Sequence, residues 1–265
     1  MRTRFALRGV ALGYLAMLLA LPVGLVFFRA FENGLGPAWE AVTTSEAQHA
    51  FYLTCVMVGI AVPLNTLFGV ICAHVLVRQR FRGRAVLNAL IDLPFAVSPV
   101  VIGLALILVY GRDGWVGDVL IENGIRVIFS PVGMVLATIF VSLPFVVREV
   151  VPVLREIGTE QEQAAATLGA STWQTFWRVT LPAIRWGVAY GVVLTTARAL
   201  GEFGAVSVVS GKLSGRTETM TLFVEQRFQR FDLTGAYAAS VVLALLALVT
   251  LLSMNALKPK EGTTS

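Results

Sequence analysis

The sequence predicts an all-α membrane protein with six transmembrane helices, and three observations carry that expectation. The first is composition: 56% of the 265 residues are hydrophobic and only 14% are charged, where a soluble domain carries about 25% charged residues. The second is that six apolar stretches recur at the length of about 20 residues that a helix needs to cross the hydrocarbon core. The third is that arginines and lysines cluster at the ends of these apolar stretches rather than on one stretch of the chain, as basic residues do at one membrane face. Inside lipid every backbone N–H and C=O must be satisfied within its own segment, so each stretch is read as a helix.

The first helix is Gly9 to Phe28, uncharged throughout. Arg2, Arg4 and Arg8 before it give the look of a signal peptide, but the apolar run is too long for that and no small-residue cleavage site is clear. The second is Phe51 to Val77, interrupted only by His74. The third runs from Leu87 to Gly111, with Asp92 and Pro94 near its start. Proline removes a donor and kinks a helix, which makes Pro94 to Pro99 a candidate break. The fourth is Val127 to Val147. The fifth is Ala183 to Val209 and carries Arg198 and Glu202, and the sixth is Leu233 to Leu257. The chain therefore divides into residues 1–49, an N-terminal helix with the first external loop; residues 50–257, a transmembrane core with a long loop at 148–182; and a tail at 258–265.

Arg2, Arg4 and Arg8, then Arg78, Arg80, Arg82 and Arg84, then Lys258 and Lys260 fall on one side if six helices cross. The first connection is mostly acidic, with Glu32, Glu40 and Glu46 against Arg29. By the positive-inside rule both termini are expected in the cytoplasm, and the loop from Arg148 to Arg185 with them. The net charge of +5 is spread over these helix ends and is no nucleic-acid signal. Cys55 and Cys72 lie seventeen residues apart on one helix, roughly 25 Å at 1.5 Å per residue. That exceeds disulfide reach, and both are read as small buried apolar residues. His49 and His74 have no partner at metal-ligand spacing, and no cofactor is expected.

The loop is the most informative stretch. Thr159-Glu160-Gln161-Glu162 reads as a capping box opening a short helix that runs through Leu168. Gly169 fits the left-handed position that closes such a helix. Ser171-Thr172-Trp173-Gln174 is a second capping box. It opens a helix whose apolar face is Trp173, Phe176 and Trp177, and Pro182 is expected to stop that helix before the fifth span. The expected product is two short helices at an angle, with Gly169 at the corner and small residues, Ala164 to Ala166, where a partner approaches closely.

Gln163-Ala164-Ala165, three residues, Gly169, nine residues and Val179-Thr180-Leu181-Pro182 resemble the coupling loop of ABC importer permeases, whose pattern reads E-A-A, three residues, Gly, nine residues, Ile-x-Leu-Pro. Gln163 replaces the Glu and Val179 the Ile. The stretches from Ile91 to Val101, Gly169 to Pro182 and Ala199 to Gly211 narrow the likeness to CysW-type permease subunits of sulfate/thiosulfate importers. Related molybdate permeases resemble the Gly201-Glu202-Phe203-Gly204 stretch but not its continuation through Ser210-Gly211, and a permease for an oxyanion such as molybdate is the alternative. The resemblance implies a type I ABC importer permease fold with a cytoplasmic coupling helix in a plasma membrane, the bacterial inner membrane. It also implies ATPase coupling through Glu162, Gln163, Ala164, Ala165, Gly169, Leu181 and Pro182. The implied partners are a homologous permease in a heterodimer, two ATP-binding cassette subunits and an extracytoplasmic sulfate/thiosulfate-binding protein, besides the lipid.

Charges inside a membrane are costly and face protein or a water-filled path. Arg198 and Glu202, four residues apart, either pair with each other or serve the path, Arg198 compensating the anion. A bound oxyanion could equally be held by backbone N–H groups at a broken helix, which places Ser98 with Arg198 and Glu202 as candidates for a translocation path. Asp92 would repel an anion and is read as a cap or pairing group. Ala183, Gly187, Gly191, Thr195 and Ala199 form a row of small residues read as an interhelix seam. Phe223, Val224, Phe228 and Phe231, among Arg227 and Arg230 in the loop after the fifth helix, read as an extracytoplasmic amphipathic segment that either packs on the bundle or meets the binding protein. A membrane hydrolase would need a motif such as His-Glu-x-x-His or Gly-x-Ser-x-Gly, and neither occurs. A secondary transporter working alone would not need the loop, and no internal repeat is detectable. No Walker A sequence occurs, so ATP hydrolysis is expected from a separate chain.

Overall fold

Side-chain caps mark helix starts at Thr44 and Ser171. In a computed structural model that describes residues 2–256, α1 runs over 2–31, with one wide π turn at Ala16–Ala20. The tail at 258–265, with Lys258 and Lys260, lies outside the described residues, as do Leu257 and the side chains of Arg2 and Arg4. A short α2, Leu35–Thr43, leads to α3, Ser45–Arg78. Thr44 caps α3 by accepting from the Ala47 N–H at 3.2 Å. Next come α4, Arg84–Ala96, α5, Pro99–Tyr110, and the single turn pair α6, Gly117–Glu122. Then α7, Pro131–Ile157, is followed by the short α8, Glu160–Thr167. The helical path from Thr172 to Leu200, with a π turn at Phe176–Thr180, is α9. After it come α10, Gly204–Val209, α11, Met220–Gln229, and α12, Leu233–Ala256. Proline stands in the first turn of α5 and α7, where its missing N–H costs nothing.

Among the described residues four helices are long and apolar enough to cross a membrane: Leu7–Phe31, Ser45–Arg78, Pro131–Ile157 and Leu233–Ser253. The α4–α5 pair bends by 115° and makes a fifth if it is one span. The expected count of six is therefore not met by length and composition alone. The fifth expected span falls short because α9 carries Arg185 and Arg198. α9 packs against other helices of the bundle, α7 and α3.

Three continuities expected from the sequence are corrected. The third span is not one helix over 87–111: it breaks at Val97-Ser98, inside the Pro94–Pro99 stretch, where Ser98 sits at φ −59, ψ 136, the extended region that a following proline imposes. The fifth is not continuous over 183–209: α9 ends at Leu200 and α10 starts at Gly204. The fourth does not end at Val147 but continues helical to Ile157. Arg148 stays on that helix because Asp92 of α4 meets it: Arg148 Nε donates to Asp92 Oδ1 at 2.8 Å, and its Nη2 contacts both Asp92 and Asn88. Cys55 is exposed rather than buried, lying on the outer face of α3, while Cys72 is buried; both are free thiols.

The core is built around α7. Val146, Val147, Val150 and Leu154 have no exposed surface, and α3 and α9 pack on either side of them. Glycines permit that approach. A Cβ on Gly69 of α3 would lie 2.6 Å from Val146 Cβ, and one on Gly191 of α9 would lie 2.9 Å from Val146 Cα. The row of small residues on α9 is thus a seam against α7, with Thr195 and Ala199 buried. A polar clasp adds to the packing: buried Asn65 donates to Ile139 O at 3.1 Å and to Ser142 Oγ at 2.8 Å, the kind of interhelix bond that holds bundles in lipid. α1 contributes none of this, since none of its apolar window is buried within the chain; it packs on α12.

Candidate coupling site and a buried ion pair

α8 and the start of α9 form the corner expected from the sequence. Gly169 holds φ +85. Its N–H bonds to Ala166 O at 3.0 Å, and the Ala170 N–H bonds to Ala165 O at 3.1 Å, the two bonds of a Schellman closure. Ser171 then caps α9 with a complete capping box: the Gln174 N–H donates to Ser171 Oγ at 3.3 Å, and the Ser171 N–H donates to Gln174 Oε1 at 2.9 Å.

Two local expectations fail. Thr159 makes no capping bond to the backbone; its hydroxyl instead accepts from Gln163 Nε2 at 3.2 Å. Glu162 does not reach back to Thr159, because stronger partners draw it inward. Arg78 Nε lies 2.9 Å from its Oε2, an ion pair by distance whose N–H does not line up as a hydrogen bond. The Thr180 hydroxyl donates to its Oε1 at 2.9 Å. Nor does Pro182 stop the second short helix. The π turn at Phe176–Thr180 widens the backbone just before Pro182, and the helix runs on into Leu181–Leu200.

The exposed side of this corner is Gln163, Ala164, Ala166 and Leu168, with Leu168 88% exposed, and Ala165 is half-buried. Leu181 is half-buried and Pro182 exposed. Behind α8 lies a cleft of about 230 Å³ lined by His74, Arg78, Glu162, Thr175, Phe176 and Thr180. Trp173, Phe176 and Trp177 cluster edge to face and stacked, with Phe176 also against His74.

Arg198 and Glu202 are brought together across the end of α9. Arg198 Nη1 lies 2.6 Å from Glu202 Oε2, with the carboxylate side chain 1% exposed. Glu202 is not on the α9 helix but in the break after it. Its Oε1 accepts from the Ala205 N–H at 2.9 Å, and its backbone carbonyl accepts from the Thr221 hydroxyl at 2.8 Å. The carboxylate therefore both pairs with α9 and fastens the start of α10. Ser98 is exposed at the beginning of α5. Its neighbour Pro99 packs on Gly204, where a Cβ would lie 2.8 Å from Pro99 Cβ, so the two breaks lie side by side.

Sequence reasoning passed over Arg78, Thr180 and Arg148. Arg78 was hidden in a run of four arginines whose common explanation is membrane orientation. No local pattern separates the one that turns inward.

A bundle of apolar helices, two helix breaks side by side and a short polar helix at one end are what the comparisons with known proteins have to account for. Residues 65–262 match the family of the binding-protein-dependent transport system inner membrane component, and the chain belongs to that family. It is 52% identical over 98% of its length, and 95% of the relative's, to the sulfate transport system permease protein CysW of Synechocystis sp.. It is 37% identical over 96% of its length, and 92% of the relative's, to the sulfate transport system permease protein CysT of Escherichia coli. The fold superposes with a TM-score of 0.79 on a chain from a bacterial alginate ABC transporter crystallised with alginate pentasaccharide-bound periplasmic protein, at 17% identity, covering 99% of this chain and 96% of that one.

Proposed function

We propose that this chain is the transmembrane permease subunit of an ATP-driven importer for sulfate-class oxyanions. It forms the path with a homologous permease, receives its drive from two ATPase subunits on separate chains, and is fed by an extracytoplasmic binding protein. The observation that carries this reading is identity of about half over nearly the whole chain with a sulfate transport permease. The lower likeness to CysT, a second permease of sulfate transport, supports a heterodimer of two related chains.

Within that reading α9 is the fifth of six crossings and both termini lie in the cytoplasm. Of its two arginines, Arg185 is exposed and lies over the Trp186 ring at 5.4 Å, and Arg198 pairs with Glu202. α8 is the coupling helix. Its small residues and exposed Leu168 offer an apolar ridge to a groove on the ATPase, and Glu162, Gln163, Ala164, Ala165, Gly169, Leu181 and Pro182 form or support that contact. Arg198, Glu202 and Ser98 stand beside the path, at the two adjacent helix breaks.

Radiolabelled sulfate uptake in cells lacking the chain tests the substrate. Uptake should be lost, and thiosulfate should compete better than molybdate in the complemented strain. Normal sulfate uptake without the chain, or uptake blocked preferentially by molybdate, would overturn the assignment.

A further inference from the structure

A coupling helix can drive a bundle only if it is held to the bundle. The covalent tethers of α8 are poor for that purpose. On one side it joins α7 through Gly158, at φ +68, and Thr159; on the other it joins α9 through Gly169, at φ +85, and Ala170. Each tether turns at a glycine in the left-handed region, where a backbone without a Cβ is least constrained. Among the described residues, the side-chain hydrogen bonds and ion pairs from α8 to helices outside it all pass through Glu162, to Arg78 and to Thr180.

Arg78 is the last residue of α3, with a side chain only 11% exposed. Its Nη1 donates to Leu154 O at 3.1 Å and its Nη2 to Gly158 O at 2.6 Å, so the guanidinium sits on the unpaired carbonyls and the negative dipole end of α7. Its Nε faces Glu162 in the first turn of α8, where a carboxylate is favoured by the positive dipole end. Glu162 in turn holds Thr180, 3% exposed, in the π turn that leads into the membrane part of α9. One arginine therefore gathers α3, α7, α8 and, through Glu162, α9. The planar five-donor fork of arginine suits such a junction; the single ammonium of lysine does not.

We propose that Arg78 is a positioning residue that latches α8 to the transmembrane bundle, so that a displacement of α8 reaches α3, α7 and α9 together. The proposal rests on the reading of α8 as the coupling helix and names the side chain through which that helix acts. In the intact complex, with partner permease, ATPase and binding protein reconstituted in vesicles, Arg78→Gln lowers sulfate taken up per ATP hydrolysed by about tenfold, within the 5–150-fold range typical of couplings between sites. Arg78→Lys, which keeps the charge but not the fork, gives a smaller loss. A role in stability alone would lower uptake and hydrolysis in proportion and leave the ratio unchanged.

The double variant Arg78→Gln/Glu162→Gln removes both charges and strands neither. It should remain uncoupled while the ATPase co-purifies at wild-type stoichiometry. A restored ratio in the double variant, an unchanged ratio in Arg78→Gln, or failure of the double variant to assemble would each overturn the latch. A cysteine at Ala166, cross-linked to the ATPase in the otherwise native complex, separates the two readings. With the cross-link present and the ratio unchanged only the latch falls; with no cross-link the coupling assignment falls and the latch with it.

Discussion

Gly169 turns the chain between α8 and α9 with its backbone in the left-handed region. Nothing lies within 4 Å of a Cβ built there, so a larger side chain meets no clash. The only penalty is the left-handed φ of +85, which for a β-branched residue costs about 1–3 kcal/mol. Gly169→Val should insert normally into the membrane but lose uptake and binding-protein-stimulated ATP hydrolysis; unchanged uptake would show that the corner geometry is dispensable. Arg198 makes a second residue-scale case. Removing it strands a carboxylate that is 1% exposed, a change on the order of 3–5 kcal/mol for a buried pair. Arg198→Gln should impair sulfate transport. If the pair is purely internal, Arg198→Gln/Glu202→Gln recovers transport; continued failure in an assembled complex assigns Arg198 to the path. The four-residue spacing made this pair legible. The capping of α10 by Glu202 was not, because it depends on a helix break that the apolar run from Ala183 to Val209 conceals.

At the scale of elements, the packing of α9 on α7 depends on absent side chains. Gly191→Val would drive atoms into the Val146 backbone, an overpacking that costs about 1–3 kcal/mol, and should lower the melting temperature of the detergent-solubilised protein. Gly59→Ala on α3, with open space around it, should leave that temperature unchanged or raise it. The segment before α11 carries a different sensitivity. Glu218 is 1% exposed, and its Oε2 has no hydrogen-bond partner among the described residues. Burial pushes its carboxyl above the usual range, with Glu46 adding and Ser214, Arg227 and Arg230 opposing. The folded state therefore holds this proton more tightly than the unfolded chain does. Its contribution is full below the ordinary carboxylate range and is lost as pH rises through the raised value. Melting followed from about pH 4 to about pH 8 should show that loss, and Glu218→Gln should flatten it. The amphipathic segment around Phe223 was legible from its alternation of aromatics and arginines. Which aromatics turn inward was not: Phe223 is buried while Phe228 and Phe231 are exposed.

For the whole molecule, orientation follows from charge and is tested by access. In a background lacking Cys55 and Cys72, Gly83→Cys should resist impermeant thiol reagents in intact cells and Asn123→Cys should label; labelling at position 83 from outside would invert the topology. The sequence by itself determined the helical membrane class, the place of the four long apolar helices, the Gly169 corner, the second capping box and the α9 seam. Each of these follows from short-range rules: apolar length, one residue's backbone freedom, or bonds closed within four residues. Only the tertiary structure decided that α9 stops at Leu200, that α7 runs on to Ile157, that Glu162 abandons its capping role for Arg78 and Thr180, and that the breaks at Ser98 and Glu202 lie side by side. Those outcomes turn on contacts between residues dozens of positions apart. A buried charge takes the partner that the packed bundle puts nearest, whatever its local sequence would offer.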